Sequence, residues 1–393
     1  MKILRIKFDN IIIFKEGFDI DFTASDRVMA NSNVHKIWGP IAIQQAISII
    51  GINAVGKTTS IRLLKLAMEV VLNNKGLNQE DLIPSLLINE YTMTNGIRME
   101  VYFYKEEDVF KLESIIKYKS DDVGKLFFYY DDEVLMKKSK SKVTSKKNIF
   151  DFVEDENSKK TRRSELKKEQ LDVLKDDDSI AILASRGSKT TVNIMLDDVT
   201  ERTDPVHGIV DKKILNVFDE NIGRLEKLQG EESVNIEFKN NDVRIKSPSI
   251  ALEDIISKGT IKGQRIIKNA IIALRSGGYL IIDELENHLN KELVKMIIGI
   301  FNDEKTNKKG ACIIFTTHYA EILDSFDRKD NIYVLTRDKN NLTSIQKYSD
   351  VVKRNELKKS EVILSNYIKG SAPKALNIKE LEEYICKTIW SLL

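Results

Sequence analysis

The sequence predicts an α/β protein built on a mixed, largely parallel sheet, and two stretches carry that expectation. A short β-rich run, Ala46–Ile50, enters a glycine-bearing loop, Gly51–Thr59, after which Ile61, Leu63, Leu64, Leu66, Ala67 and Val70 continue with helical spacing. Further on, helical spacing at Ile266, Ile267, Ala270, Ile271 and Leu274 alternates with the β-rich runs Tyr279–Ile282 and Ala311–Thr316. Strands alternating with helices imply parallel pairing, because parallel neighbours need a crossover between them.

The remaining elements follow in chain order. Leu4, Ile6 and Phe8, then Phe18, Ile20 and Phe22, alternate with charged residues and predict an antiparallel hairpin. Ile97–Tyr104 and Val109–Tyr118 read as further strands. From about Ser120 to Thr203 six lysines fall between Lys137 and Lys147, and acidic runs occur at Glu154-Asp155-Glu156 and Asp176-Asp177-Asp178. This texture predicts an inserted helical arm, with helices at Ser164–Lys175, capped by Ser164, and at Ile180–Ala184. Ile214, Leu215, Phe218, Ile222 and Leu225 predict an amphipathic helix over Asp211–Leu228. Val234–Phe238 and Val243–Ile245 flank a polar turn and predict a hairpin. The expected division is residues 1–118 with the glycine loop, 119–210 as the charged arm, 211–345 as a second lobe and 346–393 as a C-terminal helical segment.

Composition sets bounds on function. A length of 393 residues suggests two to three domains. Sixty-two basic against 60 acidic residues leave +2, so attraction to nucleic acid would require local patches. No apolar run approaches the roughly 20 residues of a membrane span, and MKILRIKFDN lacks the apolar core of a secretory signal. Cys312 and Cys386 are too few for a disulfide framework or a zinc site. A reducing cytoplasm and no membrane partner are expected.

The chemistry is concentrated in three places. Gly51 to Thr58 fits G-x-x-x-x-G-K-[ST] between a strand and a helix, the setting of a phosphate-binding loop. Its backbone N–H groups, from Gly51, Asn53, Ala54 and Gly56 through Thr59, and Lys57 would meet nucleotide phosphates, with the Thr58 hydroxyl on Mg²⁺. Asp283, at the end of Tyr279–Ile282, would be the second metal ligand, and Glu284 the base for the attacking water. His318 follows the strand Ile313-Ile314-Phe315 and could sense the γ-phosphate. His35 and His207 have no such setting, and His288 is as suited to packing as to nucleotide.

Ile256-Ser257-Lys258-Gly259-Thr260 resembles the LSxGx signature of ABC-type ATPases. In order, GINAVGKTT, ISKGT, YLIIDELENHLN and FTTHYAEIL resemble the heads of the SMC, RecF and OLD-like branch, and most closely the stand-alone AAA-family ATPases of bacterial anti-phage and abortive-infection systems. Arg354–Ser360 and Gly370–Pro373 resemble the C-terminal segment of those proteins. The resemblance implies an ABC-type head with an N-terminal antiparallel β subdomain, ATP and Mg²⁺ as cofactors, and a homodimer or higher oligomer that sandwiches ATP. Ser257 and Gly259 would then contact the γ-phosphate held by the other copy. It also implies a separately encoded effector, a nuclease or toxin.

Ala54 stands where many such proteins carry glycine. No Q-loop glutamine is evident, Asn89 being the nearest candidate, and adenine specificity rests on the resemblance. A nuclease within this chain is not expected, since no DxD strand follows His318 and Asp176–Asp178 read as a solvated cluster. A RecF or SMC-like DNA clamp remains an alternative, with Lys137–Lys147 as its phosphate-contacting surface. A transporter's nucleotide-binding subunit is a third reading, disfavoured by the long arm and by Glu286-Asn287-His288-Leu289-Asn290.

Overall fold

The computed structural model describes residues 1–29, 32–79, 82–152, 159–171, 173–185, 192–197, 206, 208–227, 230–239, 244–354, 356–372 and 375–391. Glu154–Glu156, Thr203, His207, Val243, Asn355 and Pro373 lie outside them. The chain divides into two compact units, one of Met1–Val192 with Thr316–Leu393 and one of Asn193–Phe315. No helix among the described residues is long and apolar enough to cross a membrane.

In the first unit the expected N-terminal hairpin forms, Phe8 opposing Phe18 and Ile6 opposing Ile20. It is one edge of a six-stranded antiparallel sheet ordered Phe18–Asp21, Lys2–Asp9, Ile97–Lys105, Asp108–Ser120, Leu126–Ser139 and Lys159–Arg162. A separate strand, Ala46–Gly51, runs parallel to Ile332–Arg337 with Gly51 opposite Leu335. All six of its residues are buried, which accounts for a β-rich run that is apolar except at Ser48. The helix Lys57–Asn73 contacts Lys2–Asp9, Ala46–Gly51 and Ile97–Lys105. With strands on more than one side, Leu63, Leu64, Leu66, Ala67, Met68, Val70 and Val71 are all fully buried. The C-terminal part holds helices at Tyr348–Val351, Lys359–Leu364 and Ala375–Ser391.

The helical arm expected over 119–210 is corrected here. Leu126–Ser139 is a long strand paired throughout with Asp108–Ser120. The expected helix Ser164–Lys175 is reduced to single turns at Arg163–Glu165 and Lys168–Leu171, and Ser164 caps neither. Buried charge hid the strand period. Glu133 is fully buried and accepts from Ser114 (3.0 Å), Ser179 (2.7 Å), the Ile180 amide (3.0 Å) and Arg163 (2.8 Å). Arg163 also donates to the carbonyls of Lys175 and Asp178, so it ties this segment to the sheet instead of extending a helix.

In the second unit Tyr279–Ile282 lies between Ile194–Asp197 and Cys312–Phe315, parallel to both. A four-stranded antiparallel sheet holds Gly208–Ile209, Ile222–Lys227, Ser233–Phe238 and Arg244–Pro248. The amphipathic helix expected over Asp211–Leu228 is a second correction. It ends at Phe218, and Ile222–Lys227 is a strand. The Asp219 carboxylate accepts from the Asn221 amide and turns the chain, and Ile222 and Leu225, which happen to continue the helical stripe, are buried from the sheet instead. The helix Lys258–Ser276 approaches Phe218 so closely that a Cβ on Gly263 would lie 2.1 Å from the Phe218 ring.

Candidate functional site

The helix Lys57–Asn73 begins with no side-chain cap and no acidic residue in its first turn. Its N-cap is Gly56 at φ +92°, a left-handed conformation that glycine adopts readily. The first N–H groups of a helix lack intrahelical partners and carry the positive end of its dipole, so this terminus suits an anion. Upstream, Gly51 is pressed against Leu335, whose carbonyl oxygen would lie 2.7 Å from a Cβ there. Ala54 has φ +58°, a left-handed conformation that residues with a Cβ adopt at a cost.

Lys57 is only 6% exposed. Its Nζ donates to the Gly51 and Ile52 carbonyls at 2.9 and 3.0 Å and lies 3.2 Å from His318 Nδ1. An ammonium has no lone pair, so the imidazole must present Nδ1 as acceptor and carry its proton on Nε2. Two sites far apart in sequence are thereby joined. A cavity of about 650 Å³ opens beside them, lined by Gly51, Ile52, Asn53 and His318 and also by Arg337, Asn366 and Ser371. Arg337 donates to the Ala54 carbonyl. No motif pointed to Arg337; its position follows from the pairing of Leu335 with Gly51, two residues earlier.

The second unit holds the other predicted residues. Asp283 is buried and Glu284 half-buried at the end of Tyr279–Ile282. Glu284 and His288 have φ +50° and +64°, an uncommon conformation for residues with side chains that often marks functional loops. Exposed Ser257 caps the helix Lys258–Ser276, accepting from the Thr260 amide at 3.1 Å. A Cβ on Gly259 would sit 2.5 Å from the His288 carbonyl oxygen, so packing within the chain already requires glycine there. Lys262 Nζ donates to the Glu284 carbonyl at 2.7 Å, a contact that the sequence did not announce.

Other candidates are accounted for locally. Asn89 caps the short helix Glu90–Asn95 through the Thr92 amide. In the lysine run, Lys137 pairs with Asp108 and Lys140 with Glu107, both at 2.6 Å. Lys146 donates to the Ala24 and Asp26 carbonyls. Lys138 donates to the Asn148 and Asp151 carbonyls, and burial pushes its ammonium pKa down to about 8. Asp178 accepts from the Lys175 amide, and Asp177 from that of Asn78. Among the described residues no three His, Cys, Asp or Glu side chains form a ready metal cluster.

The family model described as AAA domain, putative AbiEii toxin, Type IV TA system matches residues 47–324. The chain belongs to that family. The matched stretch takes in the loop Gly51–Thr59, Ser257 and Gly259, the acidic pair and His318, and the family makes this AAA-domain protein a nucleotide-binding P-loop ATPase related to the AAA and ABC classes. The match stops short of Arg337 and the C-terminal helices that line the cavity. No curated protein is detectably similar to the chain.

Proposed function

We propose that the chain binds ATP with Mg²⁺ at Gly51–Thr59 and hydrolyses it as a head-to-head dimer, Ser257 and Gly259 of each copy meeting the nucleotide of the other. The observation that carries the reading is the contact of Lys57 with His318 at an uncapped helix terminus. There the loop amides bind phosphate, and Lys57 exchanges carbonyl partners for phosphate oxygens. Thr58 and Asp283 would hold Mg²⁺, which when bound neutralises phosphate charge. Glu284 accepts the proton of the attacking water; phosphoryl transfer asks mainly for such positioning and for charge stabilisation. His318, with Nδ1 turned to Lys57, offers Nε2–H to the γ-phosphate, and Arg337 adds a guanidinium at that end of the loop.

The antiparallel sheet against the P-loop helix and the Glu286-Asn287-His288-Leu289 sequence after the acidic pair favour an SMC, RecF and OLD-like head. In that setting ATP sandwiching is a switch, and the protein acts in the cytoplasm as a phage-defence sensor controlling a separately encoded nuclease or toxin. The toxin–antitoxin wording of the family description is compatible with such a pairing. A DNA clamp is less favoured, because Lys137, Lys138, Lys140 and Lys146 are engaged within their own chain.

Subunit mixing tests the reading. Lys57→Ala and Ser257→Arg should each be inactive alone. A heterodimer of the two places both lesions in one composite site and leaves the other wild type, so the mixture should recover part of the ATPase activity. Full turnover by Ser257→Arg alone would remove the dimer from the proposal. A dead mixture in which heterodimers form would exclude independent composite sites.

A further inference from the structure

The loop 283–290 has two non-glycine residues in the left-handed region, Glu284 and His288. Their carbonyl oxygens are the groups that meet the start of the helix Lys258–Ser276. Lys262 Nζ donates to Glu284 O at 2.7 Å. The His288 oxygen lies 2.5 Å from where a Cβ of Gly259 would stand, too close for any side chain there. The Glu284 oxygen also accepts from the Asn287 amide at 2.9 Å, which closes the turn. A charged donor thus holds the Glu284 peptide, and one turn earlier on the same helix the absence of a side chain at Gly259 leaves room for the His288 carbonyl.

We propose that Lys262 is a positioning residue for Glu284, and that the helix start from Ser257 to Lys262 and the Glu284 loop act as one piece. The φ angle of Glu284 sets the direction of its Cα–Cβ bond, and therefore where its carboxylate lies. Without the ammonium on its carbonyl, the peptide is drawn to the right-handed region that residues with side chains prefer, and the carboxylate swings with it. Lys262 acts through the backbone of Glu284, so its effect falls on the rate of the step that Glu284 serves and leaves nucleotide affinity unchanged. The regulatory consequence rests on the proposed ATP sandwich: a partner nucleotide that engages Ser257 presses on the same turn that sets Glu284. Each site would then be informed of occupancy at the other.

The test compares Lys262→Met, which keeps the apolar stem and removes the donor, with Lys262→Arg, which keeps a cationic donor. Hydrogen exchange of the Asn287 amide in nucleotide-free protein reads the turn without any turnover; it should quicken about tenfold in the Met variant and stay within about twofold in the Arg variant, the size expected for losing one charge-assisted hydrogen bond. In ATPase assays the Met variant should lose about tenfold in kcat with KM unchanged, and Arg should restore most of it. In a Glu284→Gln background the Met substitution should change the residual rate by less than about twofold, because its route of action has been removed. Unchanged Asn287 exchange, equal losses in the Met and Arg variants, or a full further loss in the Glu284→Gln background would overturn the proposal. Failure of the wild type to hydrolyse ATP would instead refute the ATPase reading and leave the exchange result standing.

Discussion

Replacing Lys57 by Met keeps the buried stem and removes the charge. In the nucleotide-free protein that ammonium already has partners, two carbonyls and an imidazole, so the loss in affinity is a difference between two sets of contacts. Charge-assisted hydrogen bonds to two phosphates are worth about 3–6 kcal/mol together. Giving up the resting contacts returns about 1–2 kcal/mol of that. A net loss of about 2–4 kcal/mol corresponds to roughly 30- to 1000-fold weaker ATP binding. Titration with fluorescent ATP measures it, with the melting temperature of the nucleotide-free variant as the folding control. A folded Lys57→Met protein whose affinity falls by less than about threefold would refute both the loop assignment and the reasoning from its resting contacts.

Other outcomes follow from the first unit. Glu133→Ala removes the buried carboxylate that Arg163, itself only 12% exposed, is paired with and should cost about 3–5 kcal/mol in urea unfolding; a loss under about 1 kcal/mol would mean that the cluster is no stronger than a surface pair. Burial raises the Glu133 pKa above the usual carboxylate range. Its contribution to stability is therefore fully present below the unfolded value and declines as pH rises through the raised folded value. Glu133→Gln should flatten that part of the pH–stability curve, and an unchanged curve would locate the titration elsewhere. Arg337→Met should weaken ATP by about tenfold, the value of one charged hydrogen bond, and leave ADP binding intact; equal loss of both nucleotides would remove Arg337 from the γ-phosphate end.

The parts legible in the sequence are those in which one element carries its own signal. Ala46–Gly51 is buried on both faces and reads as a β-rich run that is apolar except at Ser48, and the spacing from Gly51 to Thr58 is set by the geometry of a single loop. Leu126–Ser139 was hidden because Glu133 and Lys138 occupy buried strand positions, their charges met by Arg163 and by distant carbonyls. Phe218 and Ile222 fell one helical turn apart although they belong to different elements. Lys262 and Arg337 gave no signal, because each finds its partner through tertiary folding: Lys262 reaches back from a helix to a loop later in the chain, and Arg337 reaches Ala54 from a strand near the C-terminus.

The mass of Glu284→Gln in solution tests the central claim most directly, since that substitution should retain ATP and stall its hydrolysis. With ATP and Mg²⁺ the variant should double in mass from the 45.0 kDa of a single chain, remain single with ADP, and remain single with ATP when Ser257→Arg is added. A Glu284→Gln protein that binds ATP and stays at 45.0 kDa, or one whose mass ignores the nucleotide, would contradict it.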